Sequence, residues 1–171
     1  LYIPVLETIL ASSVINDDEK IRPRYQLEMA NKNRVGEQAM DFTFELINGK
    51  KMNMYDIPAE YLLLFINNPD CPACKEYREL IVASPLTSGL IKQGRMKVLA
   101  IYPDEDITAW KKYAPNIPVD WYNGHDFGLM MKDKDLYDLR AIPALYLFDR
   151  DKKVLLRDAS YPQLEHFLSR I

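Results

Sequence analysis

The first 35 residues place apolar side chains at helical spacing. One helical stripe contains Ile3, Leu6, Ile9 and Leu10. Further along, Tyr25 and Met29 are separated by four positions and continue the pattern. Asn16, Asp17 and Asp18 interrupt this pattern with residue types that cap helix N-termini. We therefore expect two short helices, with Pro23 tolerable only in the first turn of the second. Such a pair cannot bury its apolar stripe alone and must pack on other parts of the protein.

From Gly36 onward the pattern changes to that of strands and helices in turn. Phe42, Phe44 and Leu46 share one face of a strand, and Asn48-Gly49 makes a hairpin-type turn. Further strands are predicted at Tyr61–Ile66, Met96–Tyr102, Val119–Tyr122, Ala144–Phe148 and Val154–Arg157. Helices are predicted at Lys75–Val82, Ile107–Tyr113, Lys132–Leu139 and Pro162–Ser169. Strands first separated by helices and then joined by a hairpin imply an α/β fold, a central mixed β-sheet flanked by helices.

Composition limits the size of the fold and the class of partner. With 171 residues, 48% of them hydrophobic, the chain can fill one main core and a small appendage. A formal net charge of -3, without a basic stripe, argues against a nucleic-acid partner. No apolar run approaches the roughly 20 residues of a membrane-spanning helix, so we expect no transmembrane span in this chain. Because the first residue is Leu1 and not Met, a signal peptide or lipid anchor could precede it.

The chemistry centres on Cys71-Pro72-Ala73-Cys74, which follows a buried strand and opens a helix. A helix N-terminus stabilises a thiolate through its unpaired N–H groups and the positive end of its dipole. Cys71 is therefore the candidate nucleophile, and the charge of Lys75 could add to the effect. Cys74, three residues later, can resolve a mixed disulfide and leave a Cys71–Cys74 bridge.

Two other uses of this cysteine pair stay open. A zinc site needs two more ligands, and the only histidines, His125 and His166, match no compact zinc spacing. A purely structural bridge is disfavoured because so short a loop restrains little unfolded-state entropy. The redox interpretation is therefore the leading one.

The motif resembles the thioredoxin superfamily, and a second segment strengthens the resemblance. In that family a cis-proline opens a strand opposite the two cysteines, and the residue before it pairs with an extended substrate; Ile142-Pro143 matches this element. The resemblance implies Cys71 and Cys74 as catalytic residues. It implies substrate binding by Pro72, Ala73, Ile142 and Pro143, with no metal or organic cofactor.

The resemblance extends over residues 36–171 and is most specific to TlpA-like envelope thiol–disulfide oxidoreductases and related peroxide reductases. Residues 36–42 and the Asn48-Gly49 turn look like the entry hairpin of these relatives, and the distance from Cys74 to Pro143 leaves room for their extra strand and helix. Residues 1–35 then form a helical extension, the tail of a larger N-terminal region, as in proteins of anaerobic Gram-negative bacteria. The family implies protein or peptide disulfides as substrates, a redox protein as electron donor, and a location in the periplasm or cell envelope.

The sequence also departs from the family. Phe65 occupies the position where many thioredoxins have a buried acid, and Asp70 stands where a Trp is common, so that a negative charge next to Cys71 opposes thiolate formation. These two residues keep open a non-catalytic interaction module of the cell envelope. A thiol peroxidase fits less well, because Asn68 and Leu64 replace the hydroxyl residue and proline of the peroxide site.

The remaining polar and aromatic candidates have simpler structural interpretations. Glu76 is expected to be a solvated surface acid, and His125 is expected in a surface turn. His166 is expected to be structural. Trp110 and Trp121 are expected in the core and not at a peptide-binding rim.

Overall fold

The computed structural model describes residues 2–171. Its helices are α1 Tyr2–Ala11, α2 Asp17–Asn31, α3 Pro72–Ala83, α4 Pro85–Lys92, α5 Ile107–Tyr113, α6 Met130–Asp133 and α7 Tyr161–Leu168. Its strands are β1 Thr43–Leu46, β2 Lys51–Asn53, β3 Tyr61–Ile66, β4 Met96–Tyr102, β5 Tyr122–His125, β6 Ala144–Phe148 and β7 Val154–Ala159. Short 3₁₀ turns cover Met54–Asp56 and Ala114–Asn116. None of the helices in residues 2–171 combines the length and apolar character needed to cross a membrane.

All seven strands form one mixed sheet in the order β2-β1-β5-β4-β3-β6-β7. The central strands β3, β4 and β5 are parallel, whereas β1, β2, β6 and β7 pair antiparallel. This arrangement confirms the mixed sheet flanked by helices that the sequence predicts.

Strand β3 shows why the central run is apolar at every position. Leu62, Leu64 and Ile66 face one core cluster, which also contains Phe42 and Phe44. Leu63 and Phe65 face the second cluster, which helices α3, α4 and α7 help to cover. Since both faces of a central strand are covered, no position on it favours a polar side chain.

Helix α2 begins where the capping residues predict. Asn16 and Glu19 form a capping box at the start of α2, with the Asn16 side chain accepting from the Glu19 N–H at 2.9 Å. The expectation for Pro23 was wrong, because the helix starts at Asp17 and places this proline in its interior.

Helix α2 is attached to the sheet by hydrogen bonds at its C-terminal end. The guanidinium of Arg157, on β7, donates to the carbonyl oxygens of Met29 and Ala30, each at 2.7 Å. The Tyr25 hydroxyl donates to the Asp135 carboxylate at 2.9 Å. Leu6 and Met29 of the apolar stripe are each only 2% exposed, so part of the stripe is buried as expected.

Two sequence predictions between residues 119 and 139 were wrong. The strand lies at Tyr122–His125 and not at Val119–Tyr122, and Val119 is fully exposed. The helix predicted at Lys132–Leu139 is only the single turn α6, which ends before Asp135 adopts a left-handed φ of 48°. Local periodicity was misleading here because burial of these segments depends on distant neighbours.

Helices near the cysteines are longer and more numerous than the sequence predicts. Helix α3 begins at Pro72 and not at Lys75. Helix α4 is an addition; Pro85 opens it and the Ser84 hydroxyl caps it by accepting from the Thr87 N–H at 3.3 Å. A Ser-Pro pair is a recognised start signal, so the sequence contains evidence for this helix.

Candidate active site

The loop that carries the chain from β3 to the cysteines is held by two asparagines. The buried Asn67 amide donates to the carbonyl oxygens of Phe65 and Ile101, at 3.3 and 3.2 Å. The Asn68 side-chain amide donates to Asp104 at 2.9 Å, and the Asn68 backbone carbonyl accepts from the Cys71 N–H at 3.2 Å. Sequence analysis did not identify these positioning roles, although Asn-Asn-Pro-Asp is a recognisable turn sequence.

Cys71 is the N-cap residue of α3, with Pro72 in the first turn. Its sulfur accepts a hydrogen bond from the Cys74 N–H at 3.1 Å. The two sulfur atoms are bonded to each other, and the Cα atoms lie 5.2 Å apart. After reduction, a Cys71 thiolate would accept the same hydrogen bond from the Cys74 N–H and would lie at the positive end of the helix dipole. Both interactions favour the charged form.

Cys74 lies in a different environment from Cys71. Its side chain is completely buried and belongs to the same apolar cluster as Phe65 and Leu145, whereas Cys71 is only half-buried. The Phe65 ring packs edge-on against Trp121 at 6.3 Å and presents no base to this cluster. Apolar surroundings disfavour a charged thiolate on a reduced Cys74.

The second predicted element lies opposite the cysteines. The Cys71 sulfur is 3.6 Å from the carbonyl oxygen of Ile142, and the peptide bond from Ile142 to Pro143 is cis. Ile142 is half-buried and packs against both core clusters. Among residues 2–171, nothing accepts a hydrogen bond from its N–H. This N–H is therefore unpaired in a residue whose carbonyl oxygen lies beside the Cys71 sulfur.

Pro72 and Ala73 lie between the two cysteines and are exposed. The structure thus brings the predicted cysteines, the residues between them and the Ile142-Pro143 segment to one place.

His125 was wrongly expected in a surface turn. It lies on β5, is 3% exposed, and its Nε2 makes a 2.8 Å hydrogen bond with the carbonyl oxygen of Asp104. Its ring stacks with the rings of Tyr102 and Trp110. The predicted core positions of Trp110 and Trp121 are confirmed, since they are 3% and 7% exposed.

The other candidates stay outside the site. Glu76 is exposed on α3, as expected, and His166 is exposed on α7. Across residues 2–171, no three His, Cys, Asp or Glu side chains come together as a metal site would require.

Comparison with known proteins gives structural relatives. The chain matches a thioredoxin-like protein from Bacteroides caccae with 47% identity and a TM-score of 0.96, over 99% of this chain and 61% of that one. It matches the C-terminal domain of an uncharacterized Bacteroides fragilis protein with 50% identity and a TM-score of 0.79, over 80% of this chain and 98% of that one. The chain thus spans less than two thirds of the Bacteroides caccae protein.

A more distant match bears on the fold alone. The thioredoxin domain of a thiol-disulfide oxidoreductase from Bacteroides vulgatus shares 18% identity and a TM-score of 0.66, over 79% of this chain and 98% of that one. No protein-family model and no curated protein matches the chain.

Proposed function

The chain belongs to the thioredoxin superfamily, and from this membership we propose that it is a thiol–disulfide oxidoreductase that reduces protein disulfides through Cys71 and Cys74. The observation that carries the proposal is the placement of Cys71. Its half-buried sulfur lies at the N-terminus of α3, bonded to Cys74 and facing the free backbone of Ile142.

The first step is attack on the substrate. The Cys71 thiolate attacks one sulfur of a substrate disulfide, forming a mixed disulfide and expelling the other substrate sulfur as a thiolate, which takes a proton from water. The helix N-terminus lowers the free energy of the attacking thiolate. Ile142 provides backbone groups with which an extended substrate can pair, and Pro72, Ala73 and Pro143 shape the surface around it.

The second step releases the substrate. Cys74 loses its proton and attacks the Cys71 sulfur, and the remaining substrate thiolate leaves and is protonated. The substrate gains two electrons and two protons, and the protein becomes the Cys71–Cys74 disulfide seen in the structure. Because Cys74 is buried among apolar groups, we expect its deprotonation to limit this step.

The cycle needs a dithiol redox protein that reduces the Cys71–Cys74 bridge, and no metal or organic cofactor. We place the protein in the periplasm or cell envelope, which is supported by its resemblance to envelope reductases. A lipid anchor upstream is compatible with this location. Fractionation of cells with an antibody to the protein would test it, and a cytoplasmic pool would contradict it.

The proposal is tested by the reduction potential and by turnover. The Cys71–Cys74 pair is equilibrated in glutathione and in dithiothreitol redox buffers, and insulin reduction is followed with dithiothreitol as donor. A potential near roughly -270 mV with insulin turnover supports a reductase, whereas one near roughly -120 mV indicates an oxidant. A Cys71→Ser variant should lose turnover. Absence of turnover in the unaltered protein would contradict the proposal and favour an interaction module.

A further inference from the structure

The segment between α6 and β6 ends at Ile142 and Pro143, beside the disulfide, and contains no helix or strand. Residues 134–143 run through turns and bends. Within the described chain, no backbone N–H from Tyr137 to Ile142 donates to a backbone carbonyl oxygen. Because this segment lacks the hydrogen bonds of a helix or a sheet, its position depends on its side chains and on the elements that they contact.

Helix α2 and the chain that follows it supply these contacts. Every side-chain hydrogen bond between residues 134–137 and the rest of the described chain has its partner within residues 25–40. On α2, the Tyr25 hydroxyl donates to the Asp135 carboxylate at 2.9 Å. Arg157 holds the C-terminal end of the same helix on β7. The segment that leads to the disulfide is therefore attached to a helix that is itself anchored to the sheet.

Asn33 makes the most enclosed of these contacts. It follows Lys32, the C-cap of α2, is 4% exposed and has a left-handed φ of 51°. Its amide nitrogen donates to the carbonyl oxygen of Leu136 at 2.8 Å, and its amide oxygen accepts from the Met40 N–H at 2.7 Å. A buried amide that uses its donor and its acceptor on two segments fixes their separation. Asn33 thus ties the segment before Ile142 to the end of α2.

Tyr137 connects this attachment to the start of β6. It is 1% exposed, and its hydroxyl donates to the Met40 carbonyl oxygen at 2.6 Å. Its ring packs edge-on against the rings of Phe42 and Tyr146, at 5.6 and 5.0 Å between ring centres. Tyr146 belongs to β6, which begins directly after Pro143. Because a closely packed core side chain cannot move without its neighbours, the position of Tyr137 is coupled to that of β6.

We propose that α2 sets the position of the Ile142 backbone beside Cys71, with Tyr25 and Asn33 as positioning residues. The inference rests on the proposed reductase function and gives the N-terminal helices a role in it. They raise the fraction of molecules in which Ile142 can pair with a substrate. The apparent dissociation constant of the substrate equals its intrinsic value divided by that fraction. Loss of the attachment therefore raises the KM for a protein disulfide and leaves the chemistry of the cysteines unchanged.

The test measures KM and kcat for insulin reduction with dithiothreitol as donor. Tyr25→Phe removes only the hydroxyl, and Asn33→Gly removes both side-chain hydrogen bonds with a residue that adopts a positive φ without strain. Each variant should raise the insulin KM about fivefold, as expected for losing a hydrogen bond of ordinary net strength, with kcat unchanged. Hydrogen exchange in residues 137–142 should accelerate in both variants, whereas exchange in β3 should not.

Tyr161→Phe is the matched control. The Tyr161 hydroxyl also donates to a carboxylate, that of Glu165 at 2.7 Å, but both residues lie on α7. Its insulin KM should equal that of the unaltered protein. An unchanged KM in both Tyr25→Phe and Asn33→Gly, a fall in kcat without a rise in KM, or an equal rise in Tyr161→Phe overturns the inference alone. An unaltered protein that does not reduce insulin overturns the proposed function, and this inference with it.

Discussion

The sulfur of Cys71 lies 3.6 Å from the carbonyl oxygen of Ile142, a residue 71 positions later in the chain. The pairing of β3 with β6 creates this proximity, because the end of β3 at Ile66 faces the start of β6 at Ala144. The two segments that continue from these strand ends therefore meet. The Cys71 sulfur and the backbone of Ile142 are brought together by one antiparallel register.

The burial of Cys74 predicts a pH-dependent resolution step. With Cys71 in a mixed disulfide, the rate of substrate release should rise with pH, because the neutral Cys74 thiol must lose its proton in apolar surroundings. Quenched-flow trapping with an alkylating reagent measures this rate. Cys74→Ser should accumulate the mixed disulfide at every pH. A rate that does not change from mildly acidic to mildly alkaline pH would show that another group takes the proton.

Gly124 on β5 is predicted to tolerate no side chain. A Cβ there would lie 2.7 Å from the Phe44 ring and 2.8 Å from the Ile101 side chain, so Gly124→Ala should destabilise the fold by about 1–3 kcal/mol. A Cβ on Gly89 in α4 would meet no atom within 4 Å, and Gly89→Ala should stabilise by about 0.5–1 kcal/mol. Urea unfolding distinguishes the two, and equal effects would contradict this account of β5.

The Arg140–Asp138 ion pair is predicted to contribute stability that depends on pH. Hydrogen bonds from Arg140 hold the pKa of Asp138 below its usual value. A carboxyl with a depressed folded-state pKa adds stability above its unfolded pKa of about 3.9 and loses it as the pH falls through the folded value. Because Arg140 is 54% exposed, water screens the pair, and Arg140→Met should cost only about 0.5–1 kcal/mol at pH 7.

The pH series separates this effect from a general packing loss. The free energies of unfolding of Arg140→Met and the unaltered protein, measured with urea, should begin to converge at about pH 3.9, the unfolded value, and become equal only below the lower pKa of Asp138 in the folded protein. Arg34→Met removes an exposed ion pair with Glu37 and should leave stability unchanged. A difference for Arg140→Met that persists at low pH would indicate lost packing and not lost charge.

Arg157 is predicted to hold the N-terminal helices on the sheet. Arg157→Met removes two hydrogen bonds to the end of α2, and hydrogen bonds from a charged donor contribute about 1.5–3 kcal/mol each. Hydrogen exchange in α2 should accelerate more than in β3 or β4. Arg22→Met, at an exposed position of the same helix, is the control and should leave exchange unchanged. Equal protection of α2 in both variants would refute this role.

The sequence by itself determined the elements whose signals are local. The continuous apolar run of β3, the capping residues before α2, the cysteine pair at a helix start and the hairpin of β6 and β7 depend on neighbouring residues, and each was predicted within a few positions. The Ile142-Pro143 segment was identified by resemblance and not by any local pattern.

Where burial depends on residues distant in the sequence, only the tertiary structure determined which side chains are buried. His125 has the sequence context of a turn, yet β5 is inserted between β1 and β4, so the histidine is buried against Trp110. The pairing of Arg78 with Tyr113 across 35 positions carries no local signal either. The side chain of a helical residue can face solvent or contact a neighbouring element. For Arg78, the packing of α5 beside α3 determines that it contacts Tyr113.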